Sequence, residues 1–175
     1  ITVCGYNIRD QEIQAKKQLA FIADDPRFFP YMTIWDHILV VSRLYQVKNN
    51  EQKGVDLLRS FDLLDRKDSF PGDLSRGMKQ KLGFVLALLH DPKLVIMDEP
   101  LTGLDPIANR TAKERIRQIA SEGVSIIVSS HQLHLIEELC SRILVINKGK
   151  IILEGSLESI RQTLPGLSEK ADLED

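Results

Sequence analysis

The amino-acid sequence predicts an α/β fold. Three runs rich in β-branched residues, KLVIM, VSIIVSS and RILVIN, alternate with segments of helical periodicity, which is typical of βα units and a parallel sheet. A long stretch ahead of them shows helical periodicity alone. Together these observations predict a mainly parallel core from residues 1–26 and 91–160, an inserted helical subdomain at 27–90, and a C-terminal tail at 161–175.

The elements can be assigned in chain order. The predicted elements are short strands at 1–8 and 19–23, and helices from Thr33, from Glu51 to Leu64 and from Ser75 to about His90. Thr33 is the expected cap of its helix, with Asp36 in the first turn. One side of the third helix is expected to be apolar, and KGKIILEG is expected to pair with RILVIN as a hairpin.

The composition is that of an ordinary soluble globular chain. It has 175 residues, 43% hydrophobic and 27% charged, with a formal net charge of −2, so no basic surplus points to nucleic acid. The apolar run LGFVLALL is far shorter than the roughly 18 residues of a membrane span. Cys4 and Cys140 have no metal-type spacing and are expected to be free thiols. Because the chain opens on Ile1 inside a predicted strand, we expect that a segment before it has been removed.

Two carboxylates follow the strand LVIM. Asp98 and Glu99 would lie at the carboxyl end of a buried strand, where open α/β sheets bind their ligands. Such a pair suits Mg²⁺ at Asp98, usually through water, and a general base at Glu99 that activates an attacking water. The alternative is a pair of solvated acids at a strand end.

The stretch DLSRGMKQK begins the third helix. Ser75 would stand at the helix start and Gly77 in its first turn, where an anion can approach unpaired backbone N–H groups. An ordinary serine N-cap is the alternative interpretation.

His131 follows the strand IIVSS directly. We expect it to project from the same sheet edge, where an imidazole can donate a hydrogen bond to a phosphate oxygen. It could also be a simple polar cap, or form a metal pair with His134, although no third ligand has suitable spacing.

The order of these motifs resembles the nucleotide-binding domain of an ATP-binding cassette (ABC) transporter, in particular the bacterial exporter type. DLSRGM resembles its signature motif, LVIMDEP its Walker B strand, LTGLDP its D-loop and SSHQLHLIEEL its switch-histidine region. The resemblance covers nearly the whole chain and implies a P-loop NTPase-type core that binds ATP and Mg²⁺. It implies that Glu99 is the base, that Asp98 and Asp24 serve Mg²⁺, and that His131 contacts the γ-phosphate.

The resemblance also implies partners. Two nucleotide-binding domains, alike or different, would enclose ATP, with Ser75 and Gly77 binding the γ-phosphate of the partner's nucleotide and Asp105 ordering the seam. A transmembrane permease subunit would carry the substrate, which places the protein peripherally at the cytoplasmic face of the cell membrane. Four aromatic residues in RFFPYMTIW are expected to contact that subunit.

Three departures from the family pattern matter. Arg76 and Met78 replace a glycine and a glutamine of the usual signature, and Asp24 stands where a glutamine is usual. The phosphate-binding pattern G-x-x-x-x-G-K-[ST] is absent from the sequence, so we expect it upstream of ITVCGYNI.

Without that loop the chain should hardly bind ATP. Three or more charge-assisted bonds at roughly 1.5–3 kcal/mol each would be missing. We also expect unpaired strand edges at LVIMD and SIIVSS, which would make the isolated chain prone to aggregate. Two other functions stay open: a catalytically dead half that lends only its signature motif to an intact partner, and a soluble cassette ATPase acting on ribosomes or DNA.

Overall fold

The computed structural model describes residues 1–156 and 158–160. The chain divides into two compact units, Ile1–Ser129 and Ser130–Asp175. The first unit contains a parallel sheet with helices, so the predicted α/β class is confirmed.

The first unit begins with a small hairpin. β1 (Thr2–Val3) pairs antiparallel with β2 (Tyr6–Asn7). Cys4 and Gly5 form the turn with positive φ angles of 48° and 87°. The single strand predicted over residues 1–8 is therefore wrong, because this turn divides it. The polar segment after it forms helix α1 (Glu12–Gln18).

Three parallel strands form the main sheet, in the order β3 (Leu19–Ile22), β4 (Leu94–Asp98) and β5 (Ser125–Ser129). The crossover from β4 to β5 contains helix α5 (Pro106–Ser121). Since β4 is the central strand and is hydrogen-bonded on both sides, the unpaired edges expected for LVIMD are not found. The pairings of Ile22 with Met97 and of Asp98 with Ser129 bring all three carboxyl ends to one edge.

The two faces of this sheet differ. Ala20, Ile22, Val95 and Met97 are buried on one face. Phe21, Ile96 and Ile127 form a row across the other face, where Phe21 is 58% and Ile127 56% exposed.

Helices occupy the stretch between β3 and β4. They are α2 (Ile34–Tyr45), α3 (Asn50–Ser60), two 3₁₀ turns at Leu64–Arg66 and Pro71–Asp73, and α4 (Arg76–Leu88). The Thr33 side chain accepts from the Asp36 amide and Asp36 bonds back to Thr33, as predicted for this cap. The second helix is shorter than predicted because it ends at Ser60 and the chain continues into a 3₁₀ turn.

Helix α4 is buried on the side predicted to be apolar and also on a second side. Leu82, Val85 and Leu89 are buried as expected. Phe84 and Leu88 on another side of the helix are buried too, and the Phe84 ring stacks on Phe61 with centroids 5.5 Å apart. The helix thus packs between the sheet and the other helices of this stretch, which fixes the position of its N-terminus.

The second unit contains α6 (Leu133–Leu139) and a hairpin of β6 (Ile143–Asn147) with β7 (Lys150–Gly155). The predicted pairing of KGKIILEG with RILVIN is confirmed. Among the described residues β6 pairs only with β7, so its expected parallel pairing is not found. No helix in the described ranges is both long and apolar enough to cross a membrane.

Candidate functional site

Two polar side chains meet at the carboxyl edge of the sheet. Asp98 ends β4 and Ser129 ends β5 directly opposite it. The Ser129 hydroxyl donates a hydrogen bond of 2.5 Å to Oδ1 of Asp98. This contact orients an exposed carboxylate at the place where sheets of this kind bind ligands.

Glu99 follows with an uncommon backbone conformation. Its φ is 44°, in the left-handed region that side chains other than glycine rarely adopt. The Glu99 amide donates to the carbonyl of Ser129 at 3.0 Å, and its carbonyl accepts from the amide of Thr102 at 3.1 Å. These bonds hold the strained residue in place, and strained residues of this sort cluster at functional sites.

Asp105 caps helix α5. Its Oδ1 accepts hydrogen bonds from the amides of Ile107 at 3.0 Å and Ala108 at 2.9 Å. The bond from Ala108 is the main cause that lowers the pKa of the Asp105 carboxyl. The structure thus gives Asp105 a role within its own chain, while its role at a seam between two domains stays a prediction.

The start of α4 is where the sequence predicts that an anion binds. The Ser75 hydroxyl accepts from the Met78 amide at 3.2 Å, and the amides of Arg76 and Gly77 find no acceptor in the described part of the chain. The first turn contains no acidic residue, although acids are favoured there by the helix dipole. A side chain at Gly77 would meet the carbonyl oxygen of Gly103 at 3.1 Å, so glycine allows the loop after β4 to pack closely against the start of the helix.

Asp24 is held by a cation that the sequence did not single out as its partner. The Arg76 guanidinium donates to Oδ1 of Asp24 at 3.0 Å, and both side chains are about half exposed. The two residues are 52 positions apart in the chain, so no spacing pattern indicates the contact. Asp24 and Arg76, which both differ from the residues usual in the family pattern, therefore form a pair with each other.

Gln80 was also missed. It is fully buried, and its side-chain nitrogen donates to the carbonyls of Ala23 and Pro100, each at 3.2 Å. Its Oε1 is buried without a partner. Gln80 lies between Lys79 and Lys81 in the polar first half of α4, so nothing in the sequence sets it apart as a buried residue.

His131 lies in the second unit, two residues after the end of β5. It is exposed and precedes Gln132, the N-cap of α6. Its predicted contact with a phosphate stays a prediction.

The chemistry of these groups fits Mg²⁺ with a nucleotide. Asp98 and Asp24 offer the oxygen ligands that Mg²⁺ prefers. Within the described residues no group of three or more His, Cys, Asp or Glu side chains could hold a metal alone. Mg²⁺ is commonly held by one or two carboxylates together with substrate phosphates, and the open amides at α4 suit a phosphate as well.

Comparisons with known proteins agree with this chemistry. The family model described as "ABC transporter" matches residues 1–102. An uncharacterized ABC transporter ATP-binding protein, YdbJ of Bacillus subtilis (strain 168), is 31% identical over 99% of this chain and 55% of its own length. The Nod factor export ATP-binding protein I of Burkholderia orbicola (strain AU 1054) is 32% identical over 89% of this chain and 52% of its own length.

A solved structure agrees with the architecture. The ATP-binding subunit of an ABC transporter superposes with a TM-score of 0.87 at 33% identity, covering 92% of this chain and 68% of the other. The chain spans about half the length of the curated relatives above.

Proposed function

Because the chain belongs to the ABC transporter family of ATP-binding proteins, we propose that the protein containing it hydrolyses ATP to drive export through a membrane permease. The observation that carries the proposal is the arrangement at one sheet edge. Asp98, oriented by Ser129, stands beside Glu99, and the backbone of Glu99 is held by two hydrogen bonds. Export is supported by the relative whose printed name is a Nod factor export protein.

Each residue has a distinct part in the proposed reaction. Mg–ATP, when bound, supplies a terminal phosphoryl group that is transferred to water. The Glu99 carboxylate orients that water and accepts its proton, while Asp98 and Asp24 hold Mg²⁺ directly or through water. His131 donates a hydrogen bond to the terminal phosphate.

The N-terminus of α4 acts on a second copy or a related domain. Ser75 and the open amides near Gly77 bind the terminal phosphate of the nucleotide held by that partner. Asp105, which caps α5, lies at the seam between the two domains. The permease holds this pair of domains at the cytoplasmic face of the membrane.

The test is Glu99→Gln in the full-length protein that contains this chain. Replacing the base by an amide of the same shape should lower steady-state hydrolysis by about 10²–10⁴-fold and leave ATP binding intact. Glu51→Gln, at an exposed position in the first turn of α3, is the matched control. Near-normal turnover in Glu99→Gln would remove this residue from the role of base, and the absence of turnover in the wild type would remove the proposed function.

A further inference from the structure

Two side chains of α4 connect the helix to both loops at the carboxyl edge of the sheet. Arg76 and Gln80 are four residues apart and therefore lie on the same side of the helix. Arg76 reaches Asp24 and Gln80 reaches the neighbouring carbonyl of Ala23, so both hold the loop after β3. Gln80 also reaches the carbonyl of Pro100, in the loop after β4.

Arg76 contacts the loop after β4 as well. A Cβ placed at Gly103 would lie 3.0 Å from Cδ and 3.1 Å from Nε of Arg76, so the arginine side chain covers this glycine closely. Gly103 has a φ of 78°, which marks a tight turn in the chain between Glu99 and Asp105. Arg76 therefore touches each loop once, as Gln80 does.

The amide of Gln80 serves more than packing. An apolar side chain of similar length would fill the same buried space without leaving Oε1 unpaired. Both donated hydrogen bonds go to loop carbonyls, one directly before Asp24 and the other directly after Glu99. The arrangement thus restrains the two loops that carry the candidate Mg²⁺ and base carboxylates.

We propose that Arg76 and Gln80 are positioning residues, which tie the anion site at the N-terminus of α4 to Asp24 and to the turn that carries Glu99. A helix moves as a rigid element, so an anion held at Ser75 and Gly77 fixes α4 and, through these two side chains, the base of the same chain. This inference rests on the proposed function, because positioning matters only if Glu99 acts on a water.

The first experiment alters Gln80 in the full-length protein that contains this chain. Gln80→Glu keeps the shape but turns a donor toward two carbonyls into an acceptor, and Gln80→Leu removes the donor without adding charge. A misplacement of about 1 Å costs up to about 100-fold in rate, so we expect kcat to fall at least about 10-fold while KM for ATP stays within about twofold. Gln14→Glu, at an exposed position of α1, is the matched control.

The second experiment separates charge from packing at Arg76. Arg76→Met keeps a side chain over Gly103 and removes the charge that Asp24 faces. We expect it to raise the Mg²⁺ concentration for half-maximal activity as much as Asp24→Asn does. The double variant should need no higher Mg²⁺ concentration than either single variant. Arg59→Met is the control, because Arg59 forms a comparable exposed pair with Asp56 on α3. Additive losses in the double variant would show that the two residues act separately and would overturn their assignment as a unit.

Hydrogen exchange separates failure of this inference from failure of the proposed function. In Gln80→Leu, the amides of residues 99–105 should exchange at least about 10-fold faster, while those of α3 stay unchanged, because only the loop loses its restraint. Unchanged exchange at 99–105 together with unchanged kcat would overturn the positioning role. Faster exchange in a protein that hydrolyses no ATP would leave the restraint standing and reject the proposed function.

Discussion

The hydroxyl of Ser129 donates a 2.5 Å hydrogen bond to the carboxylate of Asp98, and the backbone carbonyl of Ser129 accepts from the amide of Glu99. One residue at the end of β5 thus orients one candidate Mg²⁺ ligand and restrains the candidate base beside it. Residues that hydrogen-bond to a metal ligand change the affinity of the site for its metal ion.

Ser129→Ala should therefore weaken Mg²⁺ binding selectively. We expect the Mg²⁺ concentration for half-maximal ATP hydrolysis to rise by about 10-fold, because the Asp98 carboxylate loses the partner that orients it. Ser125→Ala, at the other end of the same strand, is the control. An unchanged Mg²⁺ requirement in Ser129→Ala would contradict the orienting role.

The aromatic segment before α2 should bind the permease. Phe29 is 63% and Tyr31 91% exposed, and the loop that carries them is anchored by His37, whose Nε2 accepts from the Phe29 amide at 3.0 Å. We expect Phe29→Ala to weaken association with the permease at least about 10-fold, as for an aromatic anchor, and to leave basal hydrolysis nearly intact. Phe70→Ala, which removes another exposed ring, should leave association unchanged. Lost hydrolysis with unchanged association would make the site structural.

His90 should make folding stability depend on pH. Its Nε2–H donates to the carbonyl of Leu19 at 3.2 Å, its ring stacks on Tyr45 at 3.8 Å, and Nδ1 is buried without a partner. Burial lowers the pKa of His90 below its ordinary value of 6.5, and Lys53 adds to the effect while the Leu19 carbonyl and Asp91 oppose it. Since the folded pKa is the lower one, the unfolded chain takes up the proton first as pH falls.

Stability contributed by His90 is therefore present above pH 6.5 and is lost as pH falls through its lowered folded pKa. His90→Phe keeps a ring against Tyr45 but cannot titrate. Urea unfolding of both proteins between pH 8 and pH 5, a range of about three units around the ordinary histidine pKa, should give a shallower pH dependence for the variant. Equal slopes would show that His90 does not contribute.

The sheet face that carries Phe21 and Ile127, both exposed, should promote association of the isolated chain. Exposed Phe21 and Ile127 flank the half-buried Ile96 in an apolar row, and apolar patches of this kind mark contact or aggregation sites. Replacing both outer residues by threonine should reduce light scattering of the purified chain. Ile107→Thr, which changes an isolated exposed residue on α5, should have little effect. Equal scattering of all three proteins would exclude this face as the cause.

Local signals explain which elements could be predicted. Thr33 with Asp36 identified the start of α2, and the apolar run before Asp98 identified β4, because caps and buried strands are encoded by neighbouring residues. Helix α1 was missed because it has little amphipathic pattern. Its Ile13 is 70% exposed, and its Glu, Gln, Ala and Lys residues favour a helix by intrinsic propensity alone.

The candidate site was predictable only in part for a related reason. Asp98 and Glu99 follow directly from the strand that carries them. The bond from Arg76 to Asp24 and the two bonds of Gln80 join loops that are distant in the chain, and they depend on how α4 packs against β3. Tertiary packing of this kind leaves no periodic trace in one sequence.

The left-handed backbone conformation of Glu99 lowers folding stability at the residue that we propose as the base. A non-glycine residue in this region costs of order 1–3 kcal/mol, whereas glycine adopts it readily. We therefore expect Glu99→Gly to unfold at a higher denaturant concentration than the wild type while losing hydrolysis. A chain selected for stability alone would favour glycine here, and the glutamate is consistent with a position at which marginal stability is tolerated for the sake of a carboxylate.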